Sequence, residues 1–420
     1  MSTVKPTQYM LRRADTPQLE IYKAPKPPDK GRIIGIDCHP DLFTAAVFRG
    51  MTPHDAQKLS CHQDLSLEAL LRWAKKEFGP EDLFLMEAGS NSFEICRRLA
   101  SLGLRAVVLE SAYVGRHAKT YADNDKIAAA RIVLVYLAGN APCVWVPTQV
   151  TVERRELLHA HQKSVRDLTA AVNAFKGYLN QYGIRLGKSN PYQKSTRESL
   201  LKKREWTPLQ QGLLRDHFEQ LDYHVKRRAE FVQLIHAQVC SEPLMLRCMK
   251  LLGIGVINAF ALLAVIGDVK RFASPEKLVA YIGLNPGQRL SGNGKHIKLG
   301  VGTRGHRVMR NLLVQGAQAV LRLGKQTPIG EWGWRLFARK GVRNVAVTAI
   351  ARKLAVQIWH VLTGNPPTLL EGAAGVRQKL SRLLVKIGSK GRAEQKMPGS
   401  LNECVELLLK RITSPPCASL

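Results

Sequence analysis

Short apolar runs of β type dominate the first third of the chain. Arg32-Ile-Ile-Gly-Ile-Asp37 and Leu42-Phe-Thr-Ala-Ala-Val-Phe48 stand either side of a brief polar turn and predict a hairpin. Residues 82–86 and 105–109 predict two more strands, with an amphipathic helix over 91–103 between them. Strands alternating with a helix imply an α/β sheet that carries some antiparallel pairing. From 150 to 239 the period lengthens. His161, Val165, Leu168, Val172, Phe175, Leu179 and Tyr182 alternate steps of four and three, as do Leu214, Phe218, Leu221, Val225, Arg228, Val232, Ile235 and Val239. These are heptad seams, the second broken by Arg228, and the Gly- and Pro-containing loop between them predicts an antiparallel pair. That pair serves equally as a spacer hairpin or as a contact between copies. A Gly-punctuated helical region follows from Glu242 to about Thr363. Beyond Pro366-Pro367, a basic helix over 378–387 and an amphipathic one over 401–412 read as an appendage.

At 420 residues the chain is long enough for at least two hydrophobic cores. Its 45% hydrophobic and 23% charged residues are ordinary for a globular protein, which excludes wholesale disorder. Charge is what changes the picture. Lys and Arg number 63 against 33 Asp and Glu, a formal net charge of +30, so a polyanion, nucleic acid first, is the expected partner. Eight cysteines without close CxxC spacing read as free thiols of a reducing cytoplasm rather than a zinc site. Residues 1–30, rich in Pro and Lys, read as a flexible basic tail without a secretory signal. The apolar stretch 251–267 falls short of the roughly 20 residues that cross a bilayer, so no membrane partner is expected.

Candidate chemistry falls in three places. Asp37 and Glu87 end strands and Asp125 opens a helix, and at the edge of an α/β sheet such carboxylates would hold divalent metal ions for phosphoryl chemistry. Each also has a structural alternative: a turn residue for Asp37, a helix cap for Glu87 and an N-cap for Asp125. The run Leu251-Leu-Gly253-Ile-Gly255 would bring backbone N–H groups to a phosphate, or would simply make a tight helix turn. The Gly-rich loop from Gly283 carries Ser291 among Lys295, His296, Lys298, Arg304, His306, Arg307 and Arg310. It reads as a phosphate-binding loop or, given a base or metal to take the proton, as the home of a nucleophile. Trp332, Trp334 and Phe337 would stack on bases or belong to a core.

The order Ile-Gly-Ile-Asp37, Met-Glu87-Ala, Asp125-Lys-Ile, Leu-Leu-Gly-Ile-Gly-Val, Ala-Tyr-Ile-Gly-Leu-Asn-Pro, Ser291-Gly and Arg-Asn-Leu-Leu-Val-Gln-Gly-Ala resembles the DEDD insertion-sequence transposases. These are also called bridge recombinases and are relatives of the Piv-type DNA invertases. The resemblance spans about residues 32–363. It implies an RNase H-like (RuvC-like) α/β domain over 31–148, a coiled-coil helical hairpin over 149–241 and a mainly helical C-terminal domain with a nucleophilic serine over 242–363, leaving 364–420 as a basic helical extension. It further implies Mg2+ held by Asp37, Glu87 and Asp125, attack by Ser291 through a covalent phosphoserine, and a noncoding bridge RNA that pairs with donor and target DNA. A homo-oligomer, dimer to tetramer, in the bacterial cytoplasm at the nucleoid completes that expectation.

In one position the chain departs from the family pattern. Where a fourth acid should follow Asp125 by three residues, the sequence has Ala128. The alternatives are a substituted catalytic site, replacement of the missing acid by Asp123, or a protein that binds nucleic acid without cutting it. A nuclease that uses the carboxylates alone, with Ser291 only gripping phosphate, is a further reading.

Overall fold

The apolar runs of the first third assemble into one sheet. Strand β1, Ile33–Cys38, pairs antiparallel with β2, Phe43–Arg49, which pairs antiparallel with β3, Gln57–Leu65. On its other side β1 runs parallel to β4, Leu83–Glu87, and β4 parallel to β5, Arg105–Leu109, with the short β6, Cys143–Val144, at the far edge. The strand order is β3-β2-β1-β4-β5-β6. This computed structural model describes residues 25–89, 91–115, 124–139, 141–290, 296–302, 305–323, 326–397 and 399–413. The chain divides into two compact units, residues 1–148 with 271–273 and residues 149–270 with 274–420.

In the first unit both faces of the sheet are covered, which is why its central strands read as nearly continuous apolar runs. Because side chains alternate along a strand, Ile34, Ile36, Phe84 and Met86 meet helices Leu67–Glu77 and Ser92–Ser101 on one face. Ile33, Leu83 and Leu85 meet helix Asp125–Leu137 on the other. Full burial of each such side chain contributes about 1.5–3 kcal/mol. Gly35 sits under that last helix: a Cβ there would lie 2.1 Å from the Ala129 carbonyl oxygen, so the missing side chain lets the helix backbone rest directly on β1. At the opposite end of the ladder the Asp82 carboxylate accepts from the Arg32 backbone N–H at 2.7 Å, from Arg32 Nε at 3.1 Å and from the Gly79 N–H at 2.9 Å.

The second unit begins with two long helices, Gln149–Gln181 and Pro208–Ser241. Phe175 meets Phe218, Tyr178 Oη donates to the Gln210 carbonyl at 3.0 Å, and Arg154 pairs with Glu242 at 2.7 Å, so the helices run antiparallel. Thr207 caps the second helix in a reciprocal box with Gln210. The seam closes at its two ends, around Leu168, Phe175, Leu179, Leu214, Phe218 and Leu221 and again around Ile235 and Val239. Between them Val165, Val225 and Arg228 face solvent, so the heptad pattern overstates the continuity of the contact.

Helix Val256–Ile266 is apolar except for Asn258 and is buried from Ala259 to Ile266, as a central core helix should be. Helix Arg343–Leu362 is long and apolar enough to cross a membrane, but Ile350, Leu354 and Ile358 are fully buried against neighbouring helices, the position of a core helix. The last two helices, Ala373–Glu394 and Leu401–Thr413, are packed into this unit rather than appended to it. Leu251 bridges to Leu370, the Glu371 N–H donates to the Lys250 carbonyl at 2.9 Å, and Lys379 Nζ donates to the Met249 and Leu251 carbonyls at 2.9 and 3.0 Å. Lys379 also pairs with the Glu371 carboxylate. Leu380, Leu383 and Leu384 supply the apolar stripe that holds the helix down, a face that the basic composition of the segment conceals.

Candidate metal centre

Strand register is what gathers the acids. The parallel ladder matches Ile33 with Leu83 and Ile36 with Met86, so the next residues, Asp37 and Glu87, stand side by side at the carboxyl edge of adjacent strands. By the alternation of the pleat they share the face of Ile33, Leu83 and Leu85, the one covered by helix Asp125–Leu137. That helix opens over the same edge. Its N-cap is Asn124, whose side chain accepts from the Ile127 N–H at 3.0 Å, so the Asp125 carboxylate is not used as a cap. Helix Ser92–Ser101 likewise starts several residues beyond Glu87, with Ser92 Oγ accepting from the Gly89 N–H at 2.9 Å. Asp37 remains in the ladder opposite Thr44. Asn124 thus takes the cap role left open for Asp125, and Glu87 stands too far before the next helix to cap it.

Between two of the acids lies a side chain that sequence reasoning passed over. His39 Nε2 is 3.3 Å from Asp37 Oδ2 and 3.3 Å from Asp125 Oδ1, and one ligand atom from each residue falls within 4.8 Å of the others. The backbone of His39 is fixed on both sides: its N–H donates to the Leu42 carbonyl at 3.1 Å, and its carbonyl accepts from Asn91 Nδ2 at 2.6 Å. A cleft lined by His39, Pro40, Asp41, Leu42, Thr44, Asp64 and Asp125 opens at this point. Asp64 sits there with φ of 54°, a left-handed conformation uncommon for a residue other than glycine. The signal available in the sequence was Asp37-Cys-His39, two potential ligands at i and i+2 as a strand ends.

Electrostatics fit a cation site. The Glu87 carboxyl is held above its ordinary range by burial and by the neighbouring charge of Asp37, with Arg131 opposing the shift. Crowded carboxylates of this kind favour a positive charge among them. Cys38, by contrast, is an inert neighbour, its thiol pushed up to about 12 by burial and by Asp37. Two carboxylates and an imidazole, with Glu87 on the adjacent strand, are a donor set suited to a divalent metal. Ala128, one helical turn beyond Asp125, adds no ligand.

The other sequence candidates lie in the second unit. Gly253, at φ of 77°, touches backbone: a Cβ would lie 2.6 Å from the Gly316 carbonyl oxygen, and Gly316 approaches Gly253 in return. It lets the turn press against helix Arg307–Leu323. Gly255 caps helix Val256–Ile266 with open space where a side chain would be. Arg307 is exposed at the start of its helix, whereas Arg310 Nη1 donates to the Gly302 carbonyl at 2.9 Å. Strands β7, Pro286–Leu290, and β8, His296–Val301, pair antiparallel and include Lys298. Ser291, Lys295, Arg304 and Asp123 lie outside the described residues. Trp334 Nε1 donates to the Leu321 carbonyl at 2.9 Å while 44% of the residue stays exposed. The seven cysteines among the described residues are free thiols.

Comparison with known proteins adds an independent line. The profile described as Transposase IS116/IS110/IS902 family matches residues 246–328. The chain is 27% identical over 286 residues to the transposase for insertion sequence element IS1111A of Coxiella burnetii, covering 66% of this chain and 77% of that protein. It is 27% identical to a probable family 20 transposase of Pseudomonas aeruginosa, covering 68% of this chain and 85% of the relative. The transposase for insertion sequence element IS1328 of Yersinia enterocolitica is 26% identical, with 68% and 84% covered.

Proposed function

Because this chain belongs to the IS116/IS110/IS902 family of transposases, we propose that it cuts and rejoins DNA for an insertion sequence by attack of the Ser291 hydroxyl on a phosphodiester, guided by a bridge RNA. The observation that supports this reading is that Asp37 and Glu87 end adjacent parallel strands on the face covered by the helix that Asp125 opens, with ligand atoms of Asp37 and Asp125 within 4.8 Å. Divalent ions held by these residues would lower the pKa of the attacking hydroxyl and offset charge on the phosphate. Magnesium is the ion that the family resemblance implies. The serine oxygen forms a bond to phosphorus as the bond to the leaving sugar oxygen breaks, giving a phosphoserine. The serine proton passes to a base and the sugar oxygen departs with a proton. His296 or His306 would serve as the base. Exposed cations such as Arg307 hold the backbone, and the overall charge of +30 suits an enzyme that handles two DNA segments and an RNA. Oligomers from dimer to tetramer would let the serine of one copy serve the acids of another.

The test is a nicked DNA substrate, whose cleaved end cannot religate, presented with the RNA that copurifies. A covalent protein–DNA adduct is expected, absent in Ser291→Ala and in Asp37→Asn. Cleavage that survives Ser291→Ala would favour a nuclease that uses the carboxylates alone. A heterogeneous or RNase-insensitive bound pool would argue against RNA guidance. One observation favours a second reading: Ala128 removes an acid that the family pattern has, and on that reading the protein binds RNA and DNA without cutting. Where the unaltered chain forms no adduct, Ala128→Asp decides. A gain of metal-dependent strand transfer identifies an impaired enzyme, and no gain identifies a binder.

A further inference from the structure

We propose that His39 is itself a metal ligand, taking the coordination place that Ala128 leaves empty, and that it turns the site from magnesium towards manganese. The inference rests on the metal-bearing reading of the carboxylate cluster. His39 Nε2 stands 3.3 Å from an oxygen of Asp37 and 3.3 Å from an oxygen of Asp125, and the three ligand atoms lie within 4.8 Å of one another. Atoms that all bind one ion at about 2.0–2.2 Å are separated by roughly 3–4 Å, so only small side-chain rotations are required. The ring is not carried on a free loop. Hydrogen bonds on both sides of its backbone, to Leu42 and from Asn91, fix the strand end from which it projects. A fixed turn backbone limits how far the half-exposed ring can move from the two aspartates.

Position 128 gives the complementary half of the argument. It lies one turn along the helix from Asp125, so an acid there would share the Asp125 face. Alanine gives neither oxygen nor charge. The chain therefore has one carboxylate fewer than the family pattern and one imidazole in contact with two of the remaining acids. That exchange alters preference. Magnesium demands hard oxygen ligands and sheds water reluctantly, whereas an imidazole nitrogen suits first-row transition ions better, and manganese is the one among them that also matches the remaining carboxylates. A His39 that merely hydrogen-bonds to the two aspartates is the competing role, and it would be displaced by a metal rather than bind it.

The experiment titrates full-length protein with manganese and follows electron paramagnetic resonance. The free-ion signal gives affinity, and pulsed spectra report nitrogen-14 coupling from a bound imidazole. We expect nitrogen coupling in the wild type and its loss in His39→Ala. Manganese affinity should fall about tenfold in that variant, while magnesium, read by competition, changes less than about threefold. The double variant His39→Ala/Ala128→Asp should regain divalent affinity, now favouring magnesium, without nitrogen coupling. Circular dichroism establishes that each variant is folded. Manganese bound without nitrogen coupling, and equally well by His39→Ala, overturns this inference but leaves the metal site standing. Failure of the folded double variant to regain affinity overturns the exchange of positions 39 and 128. No manganese binding by the wild type overturns both the inference and the metal-dependent reading beneath it.

Discussion

Gly35 shows how one residue sets the geometry of the cleft. Its missing side chain lets the backbone of helix Asp125–Leu137 settle on β1, with the space for a Cβ already taken by the Ala129 oxygen at 2.1 Å and by Val133 Cγ2 at 2.8 Å. The start of that helix carries Asp125. Gly35→Ala should therefore lift the helix, costing about 1–3 kcal/mol, and carry Asp125 away from Asp37 and His39. A lower melting temperature together with weaker manganese binding is the expected outcome. Lower stability with undiminished metal affinity would show that the acids follow some other anchor. The hydrophobic faces either side of Gly35 were legible in the sequence. The demand for glycine was not, because it arises from an element some ninety residues downstream.

At the scale of elements, the C-terminal helix Ala373–Glu394 is held by an ion pair in a poorly solvated place. Burial pushes the Lys379 ammonium below its ordinary range, and the hydrogen bond and charge of Glu371 work against that shift. Glu371→Gln leaves the ammonium with carbonyl partners only and should cost about 2–3 kcal/mol, a figure discounted for the partial exposure of both groups. A lysine whose folded pKa is depressed is more easily buried uncharged. Stability in the variant should thus rise as pH climbs towards the ordinary lysine value of about 10.4, and the deficit should shrink. Melting curves of both proteins at pH 7 and pH 9.5 check the sign. This docking was hidden from sequence reading because the segment's lysines and arginines dominate its composition, while Leu380, Leu383, Leu384 and Ile387 form only a narrow stripe.

Charge acts at the scale of the whole molecule. With 30 more basic than acidic residues, binding to nucleic acid should release many counterions. Affinity for a DNA duplex should fall about a thousandfold or more between 50 and 200 mM salt. A log–log plot of affinity against salt, measured with heterologous DNA and again with copurified RNA, checks this. A flat plot would remove electrostatics as the basis of binding. Net charge is a property of composition, so this expectation needs no coordinates. Which patches face a duplex is a matter of surface geometry.

By itself the sequence determined the identities of the central strands, the two long helices, the basic character and the three strand-edge or helix-start acids, because each is written in local periodicity or composition. Strand β3 escaped it: Gln-Lys-Leu-Ser-Cys-His-Gln-Asp-Leu lies at the sheet edge with mostly polar, solvated positions, so no alternation marks it. The β7–β8 hairpin escaped too, concealed in a run that Gly, Pro and Arg make look like loop. Only the tertiary structure decided that Asp37 and Glu87 are in register, that Asn124 rather than Asp125 caps the helix, and that His39 stands between two aspartates. Those facts depend on which strands neighbour one another and how closely a helix approaches them, and such distances are set by packing among residues far apart in the chain.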